Sequence, residues 1–336
     1  MSRIITRRQL LELIESLRSD GTLVGTPVAA GNKAFFQLLG ENDTPLIDPT
    51  TFPVNSIKEF FFPRSEILYT FERQGVDVAI TDAEPFARPQ VIIAARPCDA
   101  ASLPILDPLF AWDYQDRFYQ ARRAMTTVVT LACRQPDPSC FCTSVGLAPD
   151  TTAGADAVFL PIDDDTFEVR CVTEKGEKLF EGKTSESDKV GSFGPEPPVR
   201  FDAEELKKRL LTAFDHAAFS GDASVRCVGC GACAYVCPTC HCFDMVDEGN
   251  INNGRKVKNW DSCQFKLFTH HASGHNPRHD QGERQRQRIQ HKFAIYPAKF
   301  GVLLCTGCGN CTRGCVGSLG ILPVLQAVVR EEPVEA

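Results

Sequence analysis

Cys227-Val-Gly-Cys230-Gly-Ala-Cys233-Ala-Tyr-Val-Cys237-Pro238 and, further on, Cys305-Thr-Gly-Cys308-Gly-Asn-Cys311-Thr-Arg-Gly-Cys315 decide how this chain is read. Each has the form C-x2-C-x2-C-x3-C, the ligand run of a bacterial ferredoxin-type 4Fe-4S cluster. Three cysteines two residues apart wrap a tight loop around one face of an iron–sulfur cube. Gly229, Gly231, Gly307 and Gly309 beside them allow close backbone approach and unusual dihedrals, which aims N–H groups at sulfur. The fourth cysteine follows a helical turn later and faces away, so in two-cluster ferredoxins it serves the other cluster. That pattern assigns Cys227, Cys230, Cys233 and Cys315 to one 4Fe-4S cluster, and Cys305, Cys308, Cys311 and Cys237 to a second.

Structural zinc is the alternative, since zinc also accepts four thiolates. Zinc modules usually supply two C-x-x-C knuckles across a longer loop, not three cysteines in one turn. The stretch Gly229-Cys-Gly231-Ala-Cys-Ala234 nearly matches a dinucleotide fingerprint, but no strand precedes it and it lies among the ligands.

The surrounding chain has the bulk to house such sites. Its 336 residues are enough for two domains with real cores. A net charge of −7 argues against nucleic acid as the main partner. No stretch approaches the roughly 20 apolar residues needed to span a bilayer. The N-terminal Met1-Ser-Arg-Ile-Ile-Thr-Arg-Arg has no apolar run after its charges, so no secretory signal is expected. Sixteen cysteines, half of them at cluster spacing, then point to a reducing cytoplasm rather than a disulfide framework.

Periodicity predicts an amphipathic helix over Thr6–Leu17 with Thr6 as cap, then a hairpin of Leu23–Ala30 and Lys33–Leu39 turning at Gly31-Asn32. The type of Ile57–Phe71 is open. Val76–Thr81 and Val91–Ala95 read as strands, and Asp99 as the cap of a helix over Ala100–Phe110. Thr126–Leu131 reads as a buried strand ending at Cys133, which makes a βαβ unit. Ala157–Phe180 alternates like antiparallel strands. Glu181–Arg200 is polar and breaker-rich, as a linker is, and Asp202–Phe219 predicts a helix leading into the first cluster run. The expected fold is an α+β or α/β mixed-sheet N-terminal domain over residues 1–200. A two-cluster bacterial ferredoxin-like domain with a long insertion follows over residues 201–336.

Eight cysteines remain. Cys98 lies just past one predicted strand and Cys133 past its parallel neighbour, with Cys140-Phe-Cys142 close behind. Sites in open α/β sheets gather at the carboxyl ends of strands, so Cys98, Cys133, Cys140 and Cys142 are candidates for a third 4Fe-4S cluster. The bland alternative is reduced cysteines packed as small hydrophobes, which is also the reading of Cys171. Between the two runs lie Cys240-His241-Cys242 and Trp260-Asp-Ser-Cys263, and six of the seven histidines fall between His241 and His291. Cys240, Cys242 and Cys263 are candidate metal ligands; the alternative is that they tune a neighbouring cluster by hydrogen bonding. The basic stretch from Asn276 to Lys292 reads first as a solvated helix face, and more sharply as a docking patch for an acidic partner.

Arg96-Pro-Cys-Asp99, Cys140-Phe-Cys142, Cys237-Pro-Thr-Cys240-His-Cys242, Trp260-Asp-Ser-Cys263 and Gly274-His-Asn-Pro-Arg278 accompany the two runs in that order. In this combination the chain, from about Ser56 to Val316, resembles the family of hydrogenase/sulfur reductase beta subunits and the corresponding 4Fe-4S dicluster subunits of anaerobic sulfite reductases. The resemblance implies electron transfer between two partners. One is a flavin- and NAD(P)-binding, ferredoxin-reductase-like subunit with its own iron–sulfur cluster. The other is a catalytic subunit of hydrogenase, sulfite or sulfur reductase, or heterodisulfide reductase type. No catalytic residue is expected in this chain itself. Two further readings stay open: a catalytic subunit reducing a small substrate at a site-differentiated cluster, and a redox sensor switched by oxidation of spare cysteines.

Overall fold

A computed structural model describes residues 1–212, 214–215, 219 and 226–330. Strand β1 (Ser2–Thr6) leads into the helix Arg7–Ser19, whose N-cap Thr6 and Gln9 form a reciprocal capping box. The helix buries Leu10, Leu13 and Ile14, as its periodicity predicts. Strands β2 (Leu23–Ala30) and β3 (Lys33–Leu38) form the expected hairpin. The open segment Ile57–Phe71 resolves into a 3-10 turn, Ile57–Phe60, and strand β4 (Ser65–Gln74). Then come β5 (Asp77–Asp82), β6 (Gln90–Ala95), β7 (Thr126–Leu131), β8 (Ala157–Pro161), β9 (Thr166–Cys171) and β10 (Ser185–Ser187). Two more, β11 (Phe243–Gly249) and β12 (Asn253–Trp260), lie between the cysteine runs.

Among the described residues one mixed sheet has the order β10-β1-β9-β8-β7-β6-β2-β3. Its centre, β2, β6, β7 and β8, is parallel, and every residue of β6 is buried. Strand alternation divides the core into two layers. Val91, Ile93, Val129, Leu131 and Phe159 face the first helix, while Ile92, Val128, Val158 and Leu160 face Leu103, Leu106 and Tyr119 on the other side. Each such aliphatic side chain contributes about 1.5–3 kcal/mol by leaving water.

Three local expectations need correction. Asp99 does not cap a helix: Arg96 is the N-cap of Pro97–Ala100, a second helix runs over Ser102–Phe110, and Asp99 is buried inside the first turn. The end of the Ala157–Phe180 stretch is a helix, Glu174–Phe180, with Glu174 and Glu177 in its first turn and Lys178 in its last, the charge order the helix dipole favours. Residues 181–200 are not a free linker. Within them β10 pairs with β1, the Gly191 N–H donates to Glu168, and Gly191 and Gly194 press against the backbone of Leu160 and Arg134. Of the helix expected over Asp202–Phe219, Ala203–Thr212 is helical. Residues 213, 216–218 and the stretch 220–225 lie outside the described residues.

A second sheet, β11-β12-β4-β5, joins strands from either side of residue 200. Its inner end is anchored by Lys258, which is buried and ion-paired to Glu66 at 2.8 Å and Asp116 at 2.9 Å. Trp260 donates from Nε1 to the Phe62 carbonyl at 3.0 Å. The C-terminal core packs Leu206 and Leu210 against Ile289, Phe293, Leu325 and Val328. Here the helix Gln281–Gln290 runs into a π-turn, His291–Ile295, a feature often found at functional sites.

Candidate iron–sulfur centres

The first run opens with two glycines in the left-handed region, Gly229 at φ 67° and Gly231 at φ 72°. A Cβ on Gly231 would lie 2.5 Å from the Phe265 ring, so only glycine closes this loop. Cys227, Cys230 and Cys233 turn toward a single cavity, and Cys315, from the end of the second run, completes its wall. Gln285 Nε2 donates to Cys227 Sγ at 3.3 Å and the Leu319 N–H to Cys315 Sγ at 3.3 Å. Cys227 and Cys315 are thus already met by N–H donors.

The second run repeats the device, with Gly307 at φ 63° and Gly309 at φ 76°. Cys305 and Cys308 each feel Cys237 and Cys311 electrostatically. Lys292 Nζ donates to Cys237 Sγ at 3.4 Å, to Thr239 Oγ1 at 2.9 Å and to the Leu304 carbonyl at 3.0 Å. The Cys240 thiol and Lys292 together hold Cys237 well below the usual thiol range. Burial pushes Cys305 and Cys233 up to about 12, against the pull of Lys292 and Arg288 respectively. Such dry thiols become thiolates when a metal group takes the proton's place.

Arg288 tests whether the cages fit such a group. It is 2% exposed, and none of its three guanidinium nitrogens has a hydrogen-bond partner in the protein. It feels Cys233 and Cys311 first, then Cys240 and Cys237, which places it between the two cages. An unpaired buried guanidinium is strongly disfavoured, whereas a cluster with anionic thiolate ligands supplies the missing partner. The residues fit. Among the described residues no three His, Cys, Asp or Glu side chains are grouped as ligands of a single metal ion.

A third cavity is walled by Cys98, Cys133, Cys140 and Cys142 together with Cys308. Cys98 follows β6 and Cys133 follows β7, so the parallel strands deliver them to the same sheet edge. The Phe141 N–H donates to the Gly307 carbonyl at 2.9 Å, and a Cβ on Gly307 would stand 2.5 Å from the Cys142 nitrogen. The Cys140 loop therefore packs on the second run, and the third cavity shares a wall with the second cage. Arg96 Nη1 reaches Cys133 Sγ at 3.7 Å and Arg313 Nη1 reaches Cys140 Sγ at 3.9 Å. Burial raises Asp99 to about 7, opposed by Arg96 and Arg313.

Of Cys240, Cys242 and Cys263, Cys240 acts electrostatically with Cys237 and Cys242 with Cys263. His241 is half-buried and held near 3 by desolvation, with Nδ1 3.0 Å from the Thr239 carbonyl and its ring against His291. The basic stretch is not a solvated face either: Arg284, Arg288 and Lys292 all point inward. These cations, with Lys58 donating to the carbonyls of Cys240 and Ala234, are the site residues that ligand spacing does not reveal. The signal available was the four-residue step of Arg284, Arg288 and Lys292, with Ile289 and Phe293 interleaved.

The family of 4Fe-4S dicluster domains matches residues 226–319. This segment is a 4Fe-4S dicluster domain. Beyond the dicluster domain, the chain is similar to sulfhydrogenase 2 subunit beta of Pyrococcus furiosus, 27% identical over 330 residues that cover 94% of this chain and 95% of that one. The expected likeness to hydrogenase/sulfur reductase beta subunits is thereby borne out. No solved structure matches. No helix among the described residues is long and apolar enough to cross a membrane.

Proposed function

We propose that this protein is an iron–sulfur electron-transfer subunit of a multi-subunit cytoplasmic oxidoreductase. It relays electrons between two partners. One is a flavin- and NAD(P)-binding, ferredoxin-reductase-like subunit; the other is a catalytic subunit of hydrogenase, sulfite or sulfur reductase, or heterodisulfide reductase type. Bound clusters supply one-electron redox chemistry. The ligand sets are Cys227, Cys230, Cys233 and Cys315 for the first; Cys305, Cys308, Cys311 and Cys237 for the second; and Cys98, Cys133, Cys140 and Cys142 for a third. The observation that carries the reading is the partnerless guanidinium of Arg288 between two glycine-built thiol cages. Likeness over nearly the whole length to a sulfhydrogenase beta subunit supports the choice of complex.

The chain's own residues then have defined work. The glycine loops bring backbone N–H groups toward sulfur, Arg288 and Lys292 offset negative charge, and the apolar packing of Phe141, Phe201 and Phe293 keeps water out. Burial, hydrogen bonds to sulfur and exclusion of solvent are the levers that set cluster potential.

The test is to reduce anaerobically prepared protein alone with a chemical reductant. A conduit bleaches, passes electrons to an acceptor dye, and turns over neither sulfite, polysulfide nor hydrogen. Turnover by the isolated chain would replace this reading with the catalytic one, centred on the Cys98 cavity.

A further inference from the structure

Cys242 and Cys263 are left over once the cages are filled, and the fold places them together. Cys242 precedes β11 and Cys263 follows β12, strands that pair Phe243 with Trp260. The Asp261 N–H donates to the Cys242 carbonyl at 2.9 Å and holds the two exits side by side. Gln264 Nε2 donates to Cys263 Sγ at 3.5 Å, and the two thiols lie close enough to act on each other electrostatically. Neither lines the first or the third cavity, and both are partly exposed, whereas Cys237, Cys240 and Cys311 are buried.

We propose that Cys242 and Cys263 form a dithiol–disulfide exchange site that accepts small aliphatic disulfides. The proposal rests on the cluster reading only for which cysteines are spare.

The pair is chemically unequal in the way exchange requires. The neighbouring Cys242 thiol, the Gln264 amide 3.5 Å away and the cations Arg288 and Lys292 hold Cys263 below the usual thiol range against its burial. The neighbouring Cys263 thiol and burial push Cys242 far upward. The sulfur that an N–H donor meets is the one more readily held as thiolate, and the thiolate is the attacker. Cys263 sulfur attacks one sulfur of the disulfide, forming a mixed disulfide and releasing one thiolate. Cys242 loses its proton and attacks the Cys263 sulfur, forming the internal disulfide and releasing the second thiolate. The two protein thiols are oxidised by two electrons, and the small disulfide is reduced by two with uptake of two protons. A small thiol in excess reverses both steps. Gln264 also lies 4.0 Å from Cys227 Sγ, so the state of the pair adjoins the first cage.

The full-length reduced protein is incubated anaerobically with bis(2-hydroxyethyl) disulfide, and released 2-mercaptoethanol is counted before alkylation and peptide mapping. The expected result is a Cys242–Cys263 linked peptide with two thiols released per link and iron content unchanged. Cys242→Ser should stop at a mercaptoethanol adduct on Cys263 with one thiol released, and Cys263→Ser should slow the reaction at least tenfold. Adducts scattered over other cysteines with no Cys242–Cys263 link would overturn the proposal. So would loss of iron in Cys242→Ser, which would make that residue a ligand. Iron-free wild-type protein that still forms the link would sink the cluster reading and support this one.

Discussion

At the scale of single residues, the buried cations explain how so many sulfur ligands share one small volume. Each carries its charge where water cannot screen it, so its effect on a neighbouring redox group is large. At an effective dielectric near 20, one charge about 5 Å away is worth roughly 3 kcal/mol. Arg288→Gln should therefore lower the reduction potential of the two ferredoxin-type sites by on the order of 100 mV, measured by EPR-monitored titration, with iron retained. An unchanged potential would remove Arg288 from the account. His291 gives a pH signature. Burial, then Lys292 and Arg278, lower it to about 4, so the folded state holds it neutral while an unfolded histidine titrates near 6.5. The unfolded chain binds the extra proton first, and stability present above pH 6.5 is lost as pH falls toward 4, by up to about 1.4 kcal/mol per unit. His291→Asn should flatten that slope of unfolding free energy by about one proton. These residues were hard to read in the sequence because Arg and Lys default to solvent, and only the apolar residues between them hinted at an inward face. Asp99 misled in the same way: an acidic residue before a helical run looks like a cap, but Pro97 starts the helix earlier and carries Asp99 inside.

At the scale of elements, the cysteine runs were legible because their ligand geometry is local, encoded in spacing and in glycines at positive φ. The delivery of Cys98 and Cys133 to one edge was also legible, since adjacent parallel strands end side by side. What could not be read is how distant elements press together. The Cys140 loop lies on Gly307, so one added methyl should disturb two sites at once. Gly307→Ala is expected to cost iron from both the second and third cages, leaving about four irons per chain by anaerobic metal analysis. Loss from the second cage alone would contradict the shared wall. The pairing of β4 with β12 was equally hidden, as nothing in either strand names its partner. Lys258 holds that sheet to the body through Glu66 and Asp116. Lys258→Ala leaves the buried Glu66 and the half-buried Asp116 short of a cation and should cost about 3 kcal/mol in denaturant unfolding.

At the scale of the whole molecule, the mixed sheet, the second sheet and the dicluster segment act as one housing. The large sheet supplies the floor of the third cavity, the C-terminal loops supply its roof, and the helix Gln281–Gln290 threads cations between the remaining two. The segment between the two cysteine runs provides β11 and β12, of which β12 pairs with β4, and the helix that bears Arg288. Such a chain of adjoining thiol cages is what an electron conduit between larger partners needs. Quantitation of iron and acid-labile sulfide in anaerobically prepared protein, alongside EPR of its reduced form, probes this most directly. About twelve irons and as many sulfides per chain, falling to about eight in Cys98→Ser, is the predicted result; zinc in place of iron, or eight irons in both proteins, would contradict it.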